Sequence, residues 1–449
     1  MILRNIDEVI ALASKSAISL VRFLYCDTSS IIRGKTTRVD KLKERIESGI
    51  GLVKGSLGMN MLDQLQSETG LGATGEVRLV PDLETWAVLP YCERAASLLC
   101  DLQELDHSPW SHCPRSLLRK VTQEARILGY SFQVAFEPEF FLGTTNSAGE
   151  FVPFDRSPCF SSEGMNKASK IINRFIDSLE RQGIEVEQYY PELGHGQHEL
   201  SIRHTSEIKA CDRHISYRET LHGVVAEFNI EATMAPKPLE AAPGSGCHLH
   251  LSAWDIYGER NLFWAESGLS DFGRQFVAGI LAHLPALVAL TCPSVNSYRR
   301  LKPRSWSSAY TCWGFENREA AVRIPSVYWG QEMASTNIEL KCVDSTCNPY
   351  IALAAVITCG LDGVKRKLQP PPPVENDPSQ LTQDQMDAGR VHPLPSKLQE
   401  ALCELEGDEL LMSLLGDFGK TFLAVKTSEC AAFAGANIDF ELSQHRIRY

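Results

Sequence analysis

The segment Phe132-Gln-Val-Ala-Phe-Glu-Pro-Glu-Phe-Phe-Leu142 constrains the fold of this chain more than any other. It is apolar, aromatic and β-branched, and it reads as a buried strand. Two carboxylates, Glu137 and Glu139, interrupt it. Residues two apart on a strand share a face, so both carboxylates point to one place. Charges held in apolar surroundings need partners. Pro138 between them cannot donate to a sheet ladder, which places the pair at a sheet edge or a strand end. A strand that simply meets solvent at its end is the plainer reading. The remaining stretches supply what converging carboxylates would use, namely more ligands and a basic pocket.

Pro191-Glu-Leu-Gly-His-Gly-Gln-His-Glu-Leu200 brackets a glycine-containing bulge with Glu192 and Glu199. Glycines let a backbone come close to a ligand, although a surface hairpin has the same pattern. Gly244-Ser-Gly-Cys-His-Leu-His-Leu-Ser252 is a glycine turn opening a strand, with His248 and His250 on one face. Such a pair serves as ligands or as a hydrogen-bonded structural pair. In Asn337-Ile-Glu-Leu-Lys341, Glu339 is flanked by apolar residues and points away from them, to a site or to solvent. From Asn296 to Arg323 the chain is densely basic, with Arg299, Arg300, Arg304, Arg318 and Arg323. Arginine forks match carboxylate and phosphate oxygens. Trp306, Tyr310 and Trp313 interleave with these charges and suggest a walled anion pocket rather than a solvated face. Asp27 follows the strand Leu20–Tyr25. A strand end often carries a chemical group, but a turn-forming Asp is the commoner explanation.

An oxygen-rich set of five glutamates and one histidine suits a hard cation such as Mg²⁺ or Mn²⁺ better than zinc. Metal together with arginines is the kit for stabilising a transferring phosphoryl group. No Walker-type G-x-x-x-x-G-K-[ST] is present, so a nucleotide would be held through metal and strand residues. The formal net charge of -12 argues against nucleic acid and against anionic membrane surfaces. No apolar run reads as a membrane span, and Met1–Ser19 lacks a secretory pattern. The 14 cysteines are scattered singly, without a C-x-x-C pair. They read as reduced thiols in a cytoplasm.

At 449 residues the chain has room for two domains. The polar, turn-rich stretch Asp106–Pro114 divides a small, strand-rich unit, 1–110, from a larger one, 111–449. Helices are expected over Ile6–Ala13, Arg115–Leu128, Glu163–Gln182, Ser206–Phe228, Asp271–Leu290 and Leu398–Lys426. Glu76–Val88 reads as strand–turn–strand with the turn at Pro81-Asp82, and strands are expected over Ile184–Tyr190 and Ala232–Ala235. Gln369–Pro395, with four successive prolines, is expected to be an exposed loop.

These motifs, in this order, resemble the glutamine synthetase superfamily. The resemblance runs from about Val21 to the carboxy-terminal helices. It implies an α+β chain: a small amino-terminal β-grasp domain and a larger glutamine-synthetase-type α/β catalytic domain, self-associating into stacked rings with active sites between neighbours. It implies that Glu139, Glu192 and Glu199 hold the metal nearest the amino-acid substrate. Glu137, His248 and Glu339 would hold the metal carrying the ATP phosphates. His250, Ser252 and Asn337 would lie on the nucleotide side. Arg300 would bind the α-carboxylate of glutamate, near Gly244 and Lys341. Arg318 and Arg323 would neutralise the phosphoryl group, and Asp27 of an adjacent subunit would help deprotonate the amine. Glutamate attacks ATP to give an acyl phosphate, which an amine then displaces.

The departures from the family pattern bear on the amine. Ammonia-using members carry a flap glutamate where this chain has Trp306. Their Asp-Gly-Ser-Ser stretch is Lys54-Gly-Ser-Leu57 here. An indole packs on an alkyl or aryl amine and faces a cation by its ring. The resemblance is therefore closest to the γ-glutamyl-amine ligase branch. Lys341 stands where an arginine is usual, Asn337 and Ala334 where basic residues are expected, and Pro243 where an asparagine is normal. Two other readings fit the superfamily: a glutamine synthetase using ammonia, and a silent ring protein acting by binding or assembly.

Overall fold

The protein is described from a computed structural model, which covers residues 5–266 and 268–449. The amino-terminal part is built on a six-stranded mixed sheet. Its order is Ile32–Arg38, Leu20–Cys26, Ala95–Gln103, Glu76–Pro81 and Ile50–Val53, with Ala87–Val88 pairing onto Ala95–Gln103. The central pair, Leu20–Cys26 and Ala95–Gln103, is parallel and the other pairs are antiparallel. Alternation sends Val21, Phe23, Val77, Leu79, Ala96 and Leu98 to one core with Val9, Ala13, Leu42 and Ile46 from two helices, Ile6–Lys15 and Leu42–Ser48. A parallel central pair with helices on one face is the β-grasp arrangement.

The larger part is built on a ten-stranded sheet. Its main path is Trp313–Phe315, Val322–Ile324, Ile338–Leu340, Cys247–Asp255, Tyr130–Thr145, Gln197–Ile202 and Val186–Pro191. Phe132, Val134 and Phe136 share one face with Leu249, Leu251, Ile338 and Leu340, and all are buried in one core. Helices Asp271–Thr291 and Pro349–Arg366 pack beneath that face. The second begins on a strong signal: Asn348 caps it by accepting from the N–H of Tyr350 and Ile351, and Pro349 opens its first turn.

Four expectations change. Pro138 is not on an edge strand. Tyr130–Thr145 is central, and Pro138 stands opposite Cys247, where one neighbouring strand begins. A neighbour's end, rather than the sheet's, accommodates the missing donor. Gln369–Pro395 is not all loop: Gln383–Gly389 is helical, and Val374, Leu381, Met386 and Val391 pack with Cys312 and Ala320. Leu398–Lys426 is three helices, Leu398–Gly407, Glu409–Leu415 and Asp417–Phe433, broken at the capping Asp408 and at Gly416 with φ +55°. Asp271–Thr291 is long and apolar enough to cross a membrane by length and composition, but most of it is buried against the sheet.

Arg115 ties the two parts together. Its guanidinium donates to Asp82 and Asp101 of the first sheet region, at 2.7 and 3.0 Å, and to both oxygens of Asp212 on helix Glu207–Glu227, at 3.0 and 2.8 Å. It is nearly fully buried. Removing one member of a buried ion network leaves uncompensated charge, at a cost of about 3–5 kcal/mol. Arg115→Ala is expected to lower the melting temperature by several degrees, and Arg115→Lys by less. Calorimetry of the two variants checks this; an unchanged midpoint for Arg115→Ala would show that Arg119, which also reaches Asp82 and Asp101, suffices alone.

Candidate active site

Residues opposed across an antiparallel pair point to the same face. Glu137 is paired with His248, and Glu139 with Glu199. Glu339 is paired with His250 on one side and Arg323 on the other. Tyr190 is paired with Glu199. Register alone therefore gathers six acidic or imidazole groups around the central strand, on the face opposite the apolar core. Glu192 enters from the bulge that follows Val186–Pro191, its N–H donating to Gln197 O at 2.8 Å.

His248 is the hub. Its Nδ1 lies 3.3 Å from Glu339 and 3.8 Å from Glu137, and its Nε2 lies 3.9 Å from Glu139. One ligand atom from each of Glu137, His248 and Glu339 falls within 4.8 Å of the other two. His250 Nε2 is 3.3 Å from Glu137, and its Nδ1 is 2.9 Å from Asn337 Oδ1. Gln197 donates to Glu139 Oε2 at 2.8 Å and to Gly244 O at 3.0 Å. Tyr190 donates a short hydrogen bond to Glu199.

Electrostatics divides the carboxylates into two groups. Burial pushes Glu137 and Glu339 up, but it is overcome. Hydrogen bonds from His248 and His250 hold Glu137 well below the usual carboxylate range. Lys341, the two histidines and Arg323 bring Glu339 down to about 2. The other three stay raised. Burial lifts Glu139 to about 7, with Glu192 adding to the lift and Arg300 opposing it. Burial and the charges of Glu137 and Glu139 lift Glu199 further. Burial and Glu137 lift Glu192, against the N–H of Leu193 and the charge of Arg318. Burial brings His248 down to about 4, while His250 is raised to about 9 because Glu137 outweighs its burial. Glu139, Glu192 and Glu199 thus crowd one another in a buried place, where a divalent cation would let all three ionise. The donor sets, O/N/O and O/O/O, fit Mg²⁺ or Mn²⁺.

Cationic groups line the same face. Arg300 is buried; its Nη2 donates to Lys341 O at 2.9 Å, and its Nη1 has no hydrogen-bond partner among the described residues. Arg323 Nη1 donates to Glu339 at 2.5 Å. Lys341 Nζ lies 3.4 Å from both Glu339 and His248. Two glycines permit this closeness. A Cβ at Gly246 would lie 2.7 Å from Arg300 Nη2 and 2.8 Å from His248 Nε2. A Cβ at Gly244 would lie 2.7 Å from Arg300 Cγ.

Other candidates lie at the rim or away from it. Ser252 is buried and accepts from Trp254 Nε1 at 2.9 Å. Arg318 is exposed near Glu192. Trp306 is 59% exposed; its N–H donates to Glu319 at 2.8 Å. Asp27 is not brought to the cluster. Its carboxylate is fully enclosed by the N–H groups of Ser29 and Ile31 and by Arg33, at 2.9, 2.8 and 2.5 Å. Tyr310 and Trp313 do not wall the pocket either: Trp313 is core and donates to Pro371 O at 2.7 Å, and Tyr310 packs toward Val391. Gln197, Tyr190 and Glu319 were missed. Alternation could have found the first two, since Gln197 is two residues before Glu199 and Tyr190 two before Glu192. Glu319 gave no such signal.

Residues 5–110 match the glutamine synthetase N-terminal domain, and residues 111–445 match the glutamine synthetase catalytic domain. The chain is 30% identical to the glutamine synthetase of Methanocaldococcus jannaschii, over 99% of this chain and 98% of that one. It is 33% identical to the gamma-glutamylpolyamine synthetase GlnA3 of Streptomyces coelicolor, over 95% of this chain and 92% of that one. A crystal structure described as a novel glutamine synthase homolog superposes with a TM-score of 0.85 at 33% identity, covering 96% of this chain and 99% of that one.

A carboxyl must lose its proton to bind a metal. Metal-free Glu139 is raised to about 7, so a proton competes with the cation below that pH. Mn²⁺ affinity is expected to fall by about tenfold or more per pH unit below neutrality and to change less above it. Isothermal titration across this range checks the sign; affinity flat from low to neutral pH would show that Glu139 is no ligand.

Proposed function

The chain belongs to the glutamine synthetase family and is an ATP-dependent ligase of carbon–nitrogen bonds; from that premise we propose that it joins the γ-carboxyl of glutamate to an organic amine rather than to ammonia. One observation carries the choice of amine. The segment after Arg300 presents an exposed indole, Trp306, where an ammonia-using relative is expected to present a carboxylate. Ser307 Oγ donates to Arg300 O at 2.7 Å, so this segment is seated directly on the residue assigned to substrate. The likeness to a gamma-glutamylpolyamine synthetase supports the same reading.

In this reading Arg300 takes the α-carboxylate of glutamate with the Nη1 that has no partner among the described residues. Arg323 and Arg318 face the phosphoryl group, and His250, Asn337 and Ser252 the nucleotide. Glu137, His248 and Glu339 would hold one Mg²⁺ or Mn²⁺, and Glu139, Glu192 and Glu199 another; bound there, such ions supply positive charge against phosphate. The γ-carboxylate attacks the terminal phosphate of ATP, releasing ADP and forming an acyl phosphate. The amine then attacks the acyl carbon, and phosphate leaves. Self-association into rings, and the contribution of Asp27 across a subunit boundary, belong to the same proposal.

Phosphate release from Mg·ATP and glutamate across ammonia, methylamine, ethanolamine, putrescine and an arylamine tests it. At least one organic amine is expected to exceed ammonia in kcat/KM. Trp306→Glu is expected to cost about five- to tenfold with that amine, a loss the size of one ring–cation contact, and to raise relative use of ammonia. Ammonia as the best substrate of the unaltered protein would instead make it a glutamine synthetase in the narrow sense.

A further inference from the structure

Beside the carboxylates runs an apolar edge that none of these roles uses. Phe160 is 60% exposed and Leu193 57% exposed. Exposed large apolar side chains next to a charged site are candidates for contact with a ligand. Phe160 also holds φ at +55°, a conformation that bulky residues rarely adopt. Its N–H donates to Pro191 O at 3.0 Å, and the next residue, Ser161, caps helix Ser162–Glu180. The backbone on both sides is therefore fixed, and the ring is held out of the core.

The ring stands edge-on to Tyr190, with centroids 5.2 Å apart and planes at 81°. Tyr190 donates to Glu199, and the N–H of Leu193 donates to Glu192 at 2.9 Å. The Phe160 ring is thus one step from the carboxylate of Glu199, and Leu193 directly follows Glu192 in the chain. On the other side, Glu319 accepts from Trp306 N–H, and its neighbour Arg318 acts on Glu192. Glu192 therefore follows the residue, Pro191, that holds the Phe160 backbone, and it feels the charge of Arg318.

Resting on the organic-amine reading, we infer that Phe160, with Leu193, is the wall against which the carbon chain of the amine lies while its nitrogen meets the carboxylate side. The fitting substrate is a primary amine carrying several methylenes or a ring. Ammonia and methylamine have too little carbon to touch Phe160.

Phe160→Ala and Leu193→Ala are compared with the unaltered protein using n-butylamine, n-hexylamine and ammonia. Phe160→Ala is expected to raise KM for n-butylamine about tenfold. The KM values for ammonia, glutamate and ATP should stay fixed. Leu193→Ala should move the same way by less, and Phe160→Leu should recover most of the loss. An unchanged KM for n-butylamine, in a protein that uses it, removes the wall and leaves the organic-amine reading standing. An equal rise for glutamate or ATP would make Phe160 a support for Tyr190 and overturn the inference. So would loss of assembly in Phe160→Ala, seen by light scattering. If that variant does not fold, Phe160→Leu and Leu193→Ala decide, since both retain side chains at the edge. An unaltered protein that turns over ammonia alone sinks the organic-amine reading and the wall with it.

Discussion

Everything at this site depends on the register of one strand. Tyr130–Thr145 sends Phe132, Val134 and Phe136 into the core and Glu137 and Glu139 to the opposite face. A slip by one residue would exchange the two sets. The apolar set makes that slip costly, since it would expose three large side chains and bury charge among helices. The core therefore holds the carboxylates in place, and the neighbouring strands inherit the same constraint. Leu249 and Leu251 fix His248 and His250, and Ile338 and Leu340 fix Glu339.

That arrangement is electrostatically expensive by itself. Two like charges about 4 Å apart repel by about 4 kcal/mol at an effective dielectric near 20. The protein offsets part of this with Arg323, Lys341 and a protonated His250 on the side of Glu137 and Glu339, and with Arg300 beside Glu139. Glu139, Glu192 and Glu199 receive less compensation, and their carboxyls are raised. The imbalance is informative. One end of the cluster is neutralised by the chain, while the other retains an appetite for a cation. A site built only for stability would have paired both.

Much of this could be read before any fold was known. Alternation paired Glu137 with Glu139 and His248 with His250, and it turned Glu339 away from its apolar neighbours. Those are local signals, and a strand obeys them wherever it sits. Partnership between strands is not local. Pro138 suggested an edge because a lone strand cannot show that its neighbour begins just there. Trp313 looked like a pocket wall because aromatic spacing in a loop does not distinguish core from rim; the partner that buries it, the chain around Pro371, lies far along the sequence. Asp27 at a strand end fitted both a catalytic group and a turn, and within the chain it is the turn, with Arg33 closing it.

Lys341 shows how a single side chain can move a duty from one residue to another. An arginine there would offer a fork toward substrate. The ammonium of Lys341 is nearly fully buried and sits between Glu339 and His248. A compact charge on a flexible stem can enter that space, where a planar guanidinium would demand two aligned acceptors. Its charge is spent on keeping Glu339 ionised. In the proposed reading, recognition of a carboxylate falls to Arg300, whose Nη2 is held by the carbonyl of Lys341 and whose Nη1 has no hydrogen-bond partner among the described residues. The two residues form one device: the lysine side chain serves the interior, and its backbone carbonyl orients the guanidinium that the proposal gives to the substrate.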